Sequence, residues 1–476
     1  MLEAISIAHG ELLLFAAVFF LLGALDELAL DLAYLWLRLT GRRTERVAAE
    51  PLQPLDTAAD FPAAITGVPL IRPLGGPVAV FIPAWHEALV IGTTIRHTLA
   101  AWPQTELVLY VGCHFNDPAT IAAVRQAAGG DARLRLVVHN VAGPTCKADN
   151  LNRLYAAMLA DEAERGEAFR FAVLQDAEDM VDPAALPLLD QAVETADFVQ
   201  LPVLALPQAG SRWVAGHYSD EFAEAHGKAM VVRHALGAAL PGAGVGCAVS
   251  RDMLRRLAAE EPEGHPFGAG SLVEDYELGL RVARLGGRSR FLRTRAEDGR
   301  LIATRAYFPA TLSRAVRQKT RWTHGIALQG WDRLGWQGGL LDRWMLLRDR
   351  RGPLGALLLA LGYLLLAATG LRLGLTAAGA VPPIVLGAEL EALLLANFAF
   401  LWWRATWRAA FTAREHGWRE GIRAIWRIPI SNIIAIMAGR RAVLGYRRSL
   451  GGEVPRWDKT EHDLHPADAV PAKLAA

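Results

Sequence analysis

Two groups of carboxylates could do chemistry. The first is "QDAED" at residues 175–179, where Asp176, Glu178 and Asp179 follow directly on the apolar run "FRFAVL". Acids one residue apart in an extended or turn segment can aim at one point. Hard oxygen ligands of that kind suit Mg²⁺ or Mn²⁺, which keep some waters and take up substrate phosphates. The same acids could simply form an Asx turn that caps the helix expected from "DPAALPLLDQAV". Asp182 is placed to fill that role, which leaves Asp176 and Glu178 needing another. The second group is "LVEDYELGLR" at 272–281, with Glu274, Asp275 and Glu277 inside four positions. In isolation this is a helix N-terminus with acids at the positive end of its dipole. Beside the first group it reads as a reaction centre. A divalent ion stabilises a departing diphosphate, and a carboxylate such as Asp275 serves as general base toward an incoming hydroxyl. The helix dipole is expected to lower the Asp275 pKa and keep it ionised. A third stretch, "RQKTRWTHG" at 317–325, puts Gln318, Arg321 and Trp322 on one helical face. Arginine pairs with diphosphate and tryptophan stacks on a sugar ring; the same pattern also suits a basic helix at a membrane surface.

The elements that would hold these groups alternate. Strands are expected at 78–82 ("VAVFI"), 105–113 ("TELVLYVGC"), 134–140 ("LRLVVHN") and over the apolar part of 169–179. Helical stretches separate them, at "EALVIGTTIRHTLAAW", at 119–128 and from about Lys147. That alternation predicts an α/β domain with a mostly parallel sheet covered on both faces. Ligands of such sheets sit outside the carboxyl ends of the strands, and "PAWHE", "HFND" and "QDAED" all fall there. No strand is followed by GxGxxG and there is no GxxxxGK[ST], so dinucleotide binding of the Rossmann kind and P-loop hydrolysis lose their signatures.

The 476 residues leave room for about two to three domains. A net charge of +1 gives no field for nucleic acid, and three scattered cysteines build neither a disulfide framework nor a zinc site. The chain is 52% hydrophobic, and that excess is concentrated in three stretches, 12–37, 353–371 and 381–403. Each approaches the roughly 20 apolar residues a bilayer requires. Asp26, Glu27 and Asp31 crowd the end of the first, and Glu389 and Glu391 interrupt the third. Arg38, Arg42, Arg43 and Arg46, then Arg348, Arg350 and Arg351, then Arg404 and Arg408 flank them. By the positive-inside bias all these flanks are cytoplasmic, so residues from about 50 to 350 face the cytosol. The arginine- and tryptophan-rich stretch after 403 reads as amphipathic helices in the interface, facing membrane lipid, with "IPISNIIAIMAG" too short to span. The expected division is an anchor at 1–50, a catalytic domain at 70–335, membrane and interfacial helices at 336–450, and a tail at 451–476.

"FIPAWHE", "HFND", "KADNLN", "QDAED", "VEDYELGLR" and "QKTRW" occur in one order. The ordered set resembles the membrane-bound family 2 glycosyltransferases, whose catalytic domain has the GT-A fold of cellulose and hyaluronan synthases. The wording of "GPTCKADNLN", "DEFAEAHGK", "GAGVG" and "GIALQGW" is similar to the bacteriophage adsorption protein B branch of inner-membrane glycosyltransferases. The likeness covers roughly residues 12–460. It implies that Pro83 to Glu87 and Asp117 lie around the uracil and ribose of a UDP-sugar, and that Lys147 approaches the nucleotide or its phosphates. Asp176 and Glu178 would stand at the metal-binding DxD, with Asp179 an open alternative to Glu178. Glu274 and Asp275 would be the ED pair with Asp275 the base, and Gln318, Arg321 and Trp322 would hold diphosphate and acceptor sugar. His86 departs from the asparagine common in the wider family. That branch often carries a further C-terminal module for cyclic di-GMP; this sequence ends soon after "RWDKTEHDLH", so direct control by that nucleotide is not expected.

The resemblance implies an inverting, metal-dependent transfer of sugar to a growing glycan or lipid-linked acceptor, in a multi-pass protein of the bacterial inner membrane. Three spans are few for a secretion path, so dimerisation or an export partner in the outer envelope would be needed for polymer release. Two alternatives stay open: a transferase adding one sugar to a lipid carrier, and a non-catalytic scaffold or phage-receptor component that kept the fold.

Overall fold

The computed structural model describes residues 2–41, 46–47, 73–296, 298–383, 386–453, 459 and 462–469. Arg42 and Arg43, which contribute to the expected orientation, lie outside them.

Residues 73–335 hold the sheet. Its strands are β1 (Val78–Pro83), β2 (Leu107–His114), β3 (Leu134–His139), β4 (Phe171–Leu174), β5 (Phe198–Gln200), β6 (Cys247–Ser250) and β7 (Ser289–Phe291). They run in the order β3-β2-β1-β4-β6-β5-β7. All neighbours are parallel except β6, which runs against both β4 and β5. Alternate residues feed opposite faces: Val78, Val80 and Ile82 enter one apolar core, Ala79 and Phe81 the other. Burial on both sides is why these strands are continuous hydrophobic runs in sequence. The strand order reverses between β1 and β4, which opens a crevice at their carboxyl ends. Because β6 is antiparallel, the loop entering it, residues 242–246, arrives at that same edge.

Helices α1 (Ile91–Ala101), α2 (Pro118–Ala128) and α3 (Lys147–Arg165) follow β1, β2 and β3. Asp117 caps α2 ahead of Pro118, and Gly166 closes α3 at φ 69°. The expected cap role of Asp182 is met as a turn: its Oδ1 accepts Ala184 N at 3.0 Å. Two helices carry the remaining motifs, α4 (Glu274–Arg284) and α5 (Leu312–Thr323).

Four long helices lie outside the sheet domain. In chain order they are the N-terminal helix Leu2–Leu39, then Gly352–Ala377, Ala388–His416 and Trp418–Leu450. The first packs against the second through His9 and Thr369 (3.0 Å) and against the third through Asn397 and the Ala17 carbonyl (2.9 Å). Three of the four are long and apolar enough to cross a membrane: Ser6–Leu39, Gly352–Ala377 and Trp418–Leu450. This corrects two expectations. The third stretch is displaced from 381–403: its helix starts at Ala388, places Glu389 and Glu391 in the first turn, and runs on to His416. The residues beyond Gly417 form one helix of 33 residues rather than several short ones. That last helix is held on the sheet domain near both ends. Arg427 bonds Asp220 at 2.8 Å, and Tyr446 bonds Asp332 at 2.9 Å, about 28 Å further along by the helical rise. A helix tied at both places to one domain lies along that domain, whatever its hydropathy.

Candidate active site

At the carboxyl edge of the sheet lies a cleft of about 1110 Å³, counting the part open to solvent. Pro83 at the end of β1 and Glu87 just after it, Asp176 to Asp179 after β4, and Glu274 and Asp275 at the head of α4 all line it. Gln318, Arg321 and Trp322 close the far wall from one face of α5. The two acidic groups, about 100 residues apart in sequence, therefore share one hollow. Lys147 is the physical link. Its Nζ lies 2.6 Å from Asp176 Oδ1 and 3.7 Å from Glu274 Oε1.

Each acid has a distinct surrounding. Asp179 is turned back, its Oδ2 accepting Asp176 N at 2.7 Å, so it pins the turn. Glu178 instead meets His462 Nε2 at 3.0 Å. Glu277, the third acid of the α4 motif, is paired with Arg333 at 2.8 Å and is structural. Asp117 does not reach the cleft. It is buried, and its carboxylate accepts His86 N at 2.6 Å and Thr120 N at 3.3 Å. Thr120 in turn accepts Glu87 N at 3.0 Å. Asp117 thus shapes the 84–87 loop from behind, holding His86 at φ 54°. An L-residue adopts that left-handed conformation uncommonly, and the bond from Asp117 helps to hold it.

Two glycines explain how the cleft can be so tight at Asp275. Gly244 sits at φ +81°, and a Cβ there would fall 2.3 Å from Asp275 Oδ2. A Cβ on Gly279 would fall 2.2 Å from the Leu240 carbonyl, so α4 can approach the 240–246 loop only at a glycine. Gln200, buried at the end of β5, clamps that loop. Its Oε1 accepts Ala243 N and its Nε2 donates to the Val245 carbonyl, each at 2.8 Å.

Burial sets the electrostatics. It pushes Glu178 and Glu274 each up to about 7. It raises Asp275 as well, against the expectation from the dipole. The helix N-terminus is where the sequence places it, but loss of water outweighs the backbone. Lys147 is raised too: burial alone would lower it, but Asp176, Glu274 and Asp275 together outweigh burial and hold it charged.

Sequence reasoning missed the tail. Lys459 Nζ lies 2.8 Å from Glu87 Oε1 and 3.0 Å from the His86 carbonyl. His462 touches both Glu178 and Glu87, and although burial would lower its pKa, those carboxylates raise it to about 9. Glu87, Glu178 and His462 offer ligand atoms within 4.8 Å of one another, enough to hold a metal ion. The signal was a histidine and a lysine in "RWDKTEHDLH", a charged segment after the last helix with no periodicity to place it.

The profile of the glycosyltransferase-like family 2 matches residues 75–325, the part that builds this cleft. The chain belongs to that family. It is also 32% identical over 472 residues to bacteriophage adsorption protein B of Escherichia coli (strain K12), covering 94% of this chain and 61% of the relative. The bacteriophage N4 adsorption protein B of Escherichia coli O157:H7 matches to the same extent. The chain thus spans less than two thirds of these relatives. Among solved structures, a mannosyltransferase from Pyrobaculum calidifontis in complex with GDP-Man and Mn²⁺ aligns over 91% of this chain and 99% of its own, at 18% identity and TM-score 0.46. A glucosyl-3-phosphoglycerate synthase from Mycobacterium tuberculosis aligns over 51% and 75%, at 19% identity and TM-score 0.33. Both are too distant to bear on substrate.

Proposed function

We propose that this family 2 glycosyltransferase is a membrane-bound, inverting enzyme that moves a sugar from a nucleoside diphosphate sugar, UDP-linked, to a glycan or lipid-linked acceptor. The observation that carries the reading is the bridge from Lys147 to Asp176 and Glu274, which unites the two acidic groups at the strand ends. The domain limits proposed are those expected from sequence, with the catalytic domain at 70–335 and the tail reassigned to the cleft.

The residues fit a divalent cation. Glu178, Glu87 and His462 form a mixed carboxylate and imidazole set with Asp176 beside Glu178 in the same cleft as a further candidate ligand, and Glu87 Oε2 is buried without a partner among the described residues. An imidazole in the set suits Mn²⁺ better than Mg²⁺. When bound, such an ion neutralises charge on the departing diphosphate. The chain's own groups supply the rest. Asp275 takes the acceptor proton at its carboxylate, and the raised pKa makes it a stronger base than an exposed aspartate. Gly244, having no side chain, lets the 240–246 loop close against that carboxylate. Arg321, whose Nε has no partner among the described residues, and Gln318 are placed for the diphosphate. Trp322 offers a stacking face for the acceptor sugar, backed by Phe308 and Tyr218.

The N-terminal helix, Gly352–Ala377 and Ala388–His416 are proposed to cross the bacterial inner membrane, with the sheet domain cytoplasmic and Trp418–Leu450 along its interface. Purified protein in detergent, given a panel of UDP-sugars and GDP-mannose with Mn²⁺, should hydrolyse or transfer from one of them and stop with chelator. Absence of metal-dependent turnover with every donor would refute the reading and favour a scaffold that kept the fold.

A further inference from the structure

Resting on that reading, we infer that Lys147 is a built-in stand-in for the divalent cation, and that metal and nucleotide bind cooperatively because they must displace it together. Lys147 is the first residue of α3, so its backbone is fixed. Its side chain is 12% exposed and its ammonium sits between Asp176 and Glu274. Without a cation there, the half-buried Asp176 and the buried Glu274, whose carboxylates both lie within 3.7 Å of that ammonium, would repel one another. The donor-free cleft is therefore already neutralised at the point where Asp176 would meet a metal ion.

A divalent ion arriving alone meets that ammonium and must evict it with no new partner to receive it. A diphosphate supplies one. Lysine's flexible stem lets the head swing without backbone movement and exchange carboxylate for phosphate. Asp176 is then released. Each ligand removes part of the cost of the other, and by linkage the effect is the same in both directions. The carboxylates Glu178 and Glu87 are held by His462 and Lys459 instead, so the exchange is specific to the Asp176 side of the cleft.

The test is Mn²⁺ binding followed by electron paramagnetic resonance on the full-length protein, with and without UDP. Wild type should bind Mn²⁺ weakly alone and more tightly with UDP. K147M should bind Mn²⁺ alone more tightly, by roughly tenfold, and lose about the same factor from the enhancement by UDP, within the usual range for coupled sites. A lysine that only opposes the ion by its charge would also strengthen metal binding on removal but would leave the enhancement by UDP unchanged, so the loss of that enhancement is the deciding readout. K147Q serves as a second variant, with thermal unfolding as the check on folding. On unaltered protein, acylation of Lys147 read by peptide mass spectrometry should rise when Mn²⁺ saturates the site without nucleotide. Variants that bind Mn²⁺ alone no better than wild type, or labelling unchanged by Mn²⁺, would overturn the inference and leave the proposed function standing. A wild type that binds neither Mn²⁺ nor UDP overturns both.

Discussion

The molecule holds two buried knots of charge, and they are built to opposite ends. One is the cleft. The other joins the sheet domain to the membrane helices, where Asp26, Glu27, Asp31 and Glu224 meet Lys228, Arg348, Arg351 and Arg404. At the junction every acid has a cation. Arg404 lies 2.7 Å from Glu224 and Arg348 lies 2.8 Å from Glu27. At the cleft, acids from three segments share Lys147, Lys459 and His462. The contrast appears in titration. Burial would raise Glu224, but Arg404 and Lys228 bring it down to about 2. Equal burial leaves Glu178 and Glu274 at about 7. A saturated knot is a fastener; an under-neutralised one, open to solvent, waits for a cationic ligand.

Removing one charge from each knot sharpens the distinction. Asp275→Asn at the cleft should lower kcat by about 10²–10⁴, the usual span for a positioned general base. Nucleotide binding and thermal stability should hold, as read by UDP titration and a melting curve. Transfer at the wild-type rate would remove Asp275 from its role. Lys228→Met at the junction should do the reverse. Lys228 is 1% exposed between Asp31 and Glu224, so its loss leaves two buried carboxylates to share Arg404, which lies 2.7 Å from Glu224 but 3.8 Å from Asp31. Breaking such a pair costs about 3–5 kcal/mol. Stability in detergent should drop by that order, while turnover per folded molecule survives. Equal losses of turnover in both variants would abolish the comparison.

Burial acts on a core histidine in the opposite sense from the cleft acids, which gives a pH signature. His226 is buried, accepts Val203 N at Nδ1 (2.7 Å), and is lowered from 6.5 to about 4. The folded state keeps it neutral and the unfolded chain protonates it below 6.5. Its contribution is therefore present above about 6.5 and lost as pH falls toward 4. The upper bound from that shift is about 3 kcal/mol. Chemical denaturation across this range should show the decline, and His226→Gln should flatten it. Glu178 and Glu274 work against the decline, because their raised values let the folded state hold protons first. A stability that rises steadily to pH 4 would mean the cleft acids dominate.

How much of this was legible in sequence follows from which physical signals are periodic. The strands at Val78, Leu107, Leu134 and Phe171 announce themselves as buried apolar runs, and the acids at their ends follow from topology. Trp322 and Arg321 were legible because a helix puts them three and four residues from Gln318. Asp117 was misassigned because a cap and a ligand look alike in one dimension: only the bond to His86 N tells them apart. The Asp275 shift was given the wrong sign because the dipole is local and readable, whereas desolvation depends on the 240–246 loop folding over it. The bounds of the helix at Ala388–His416 escape the sequence because Glu389 and Glu391 read as interruptions of a span, whereas they form its first turn.

The tail is the part with least sequence signal, and it gives the finest test of the comparison. His462 lies on the cleft between Glu178 and Glu87, and only its position there sets it apart from a junction cation. If it is a fastener like Arg404, His462→Ala should loosen the tail and leave metal affinity untouched. If it belongs to the ligand set, the same variant should weaken Mn²⁺ binding on the order of tenfold and shift the preference toward Mg²⁺, since only oxygen donors remain. Mn²⁺ and Mg²⁺ titrations of wild type and H462A in the presence of UDP separate the two. Unchanged affinity for both ions would class His462 with the junction, and the cleft would then hold its cation through carboxylates alone.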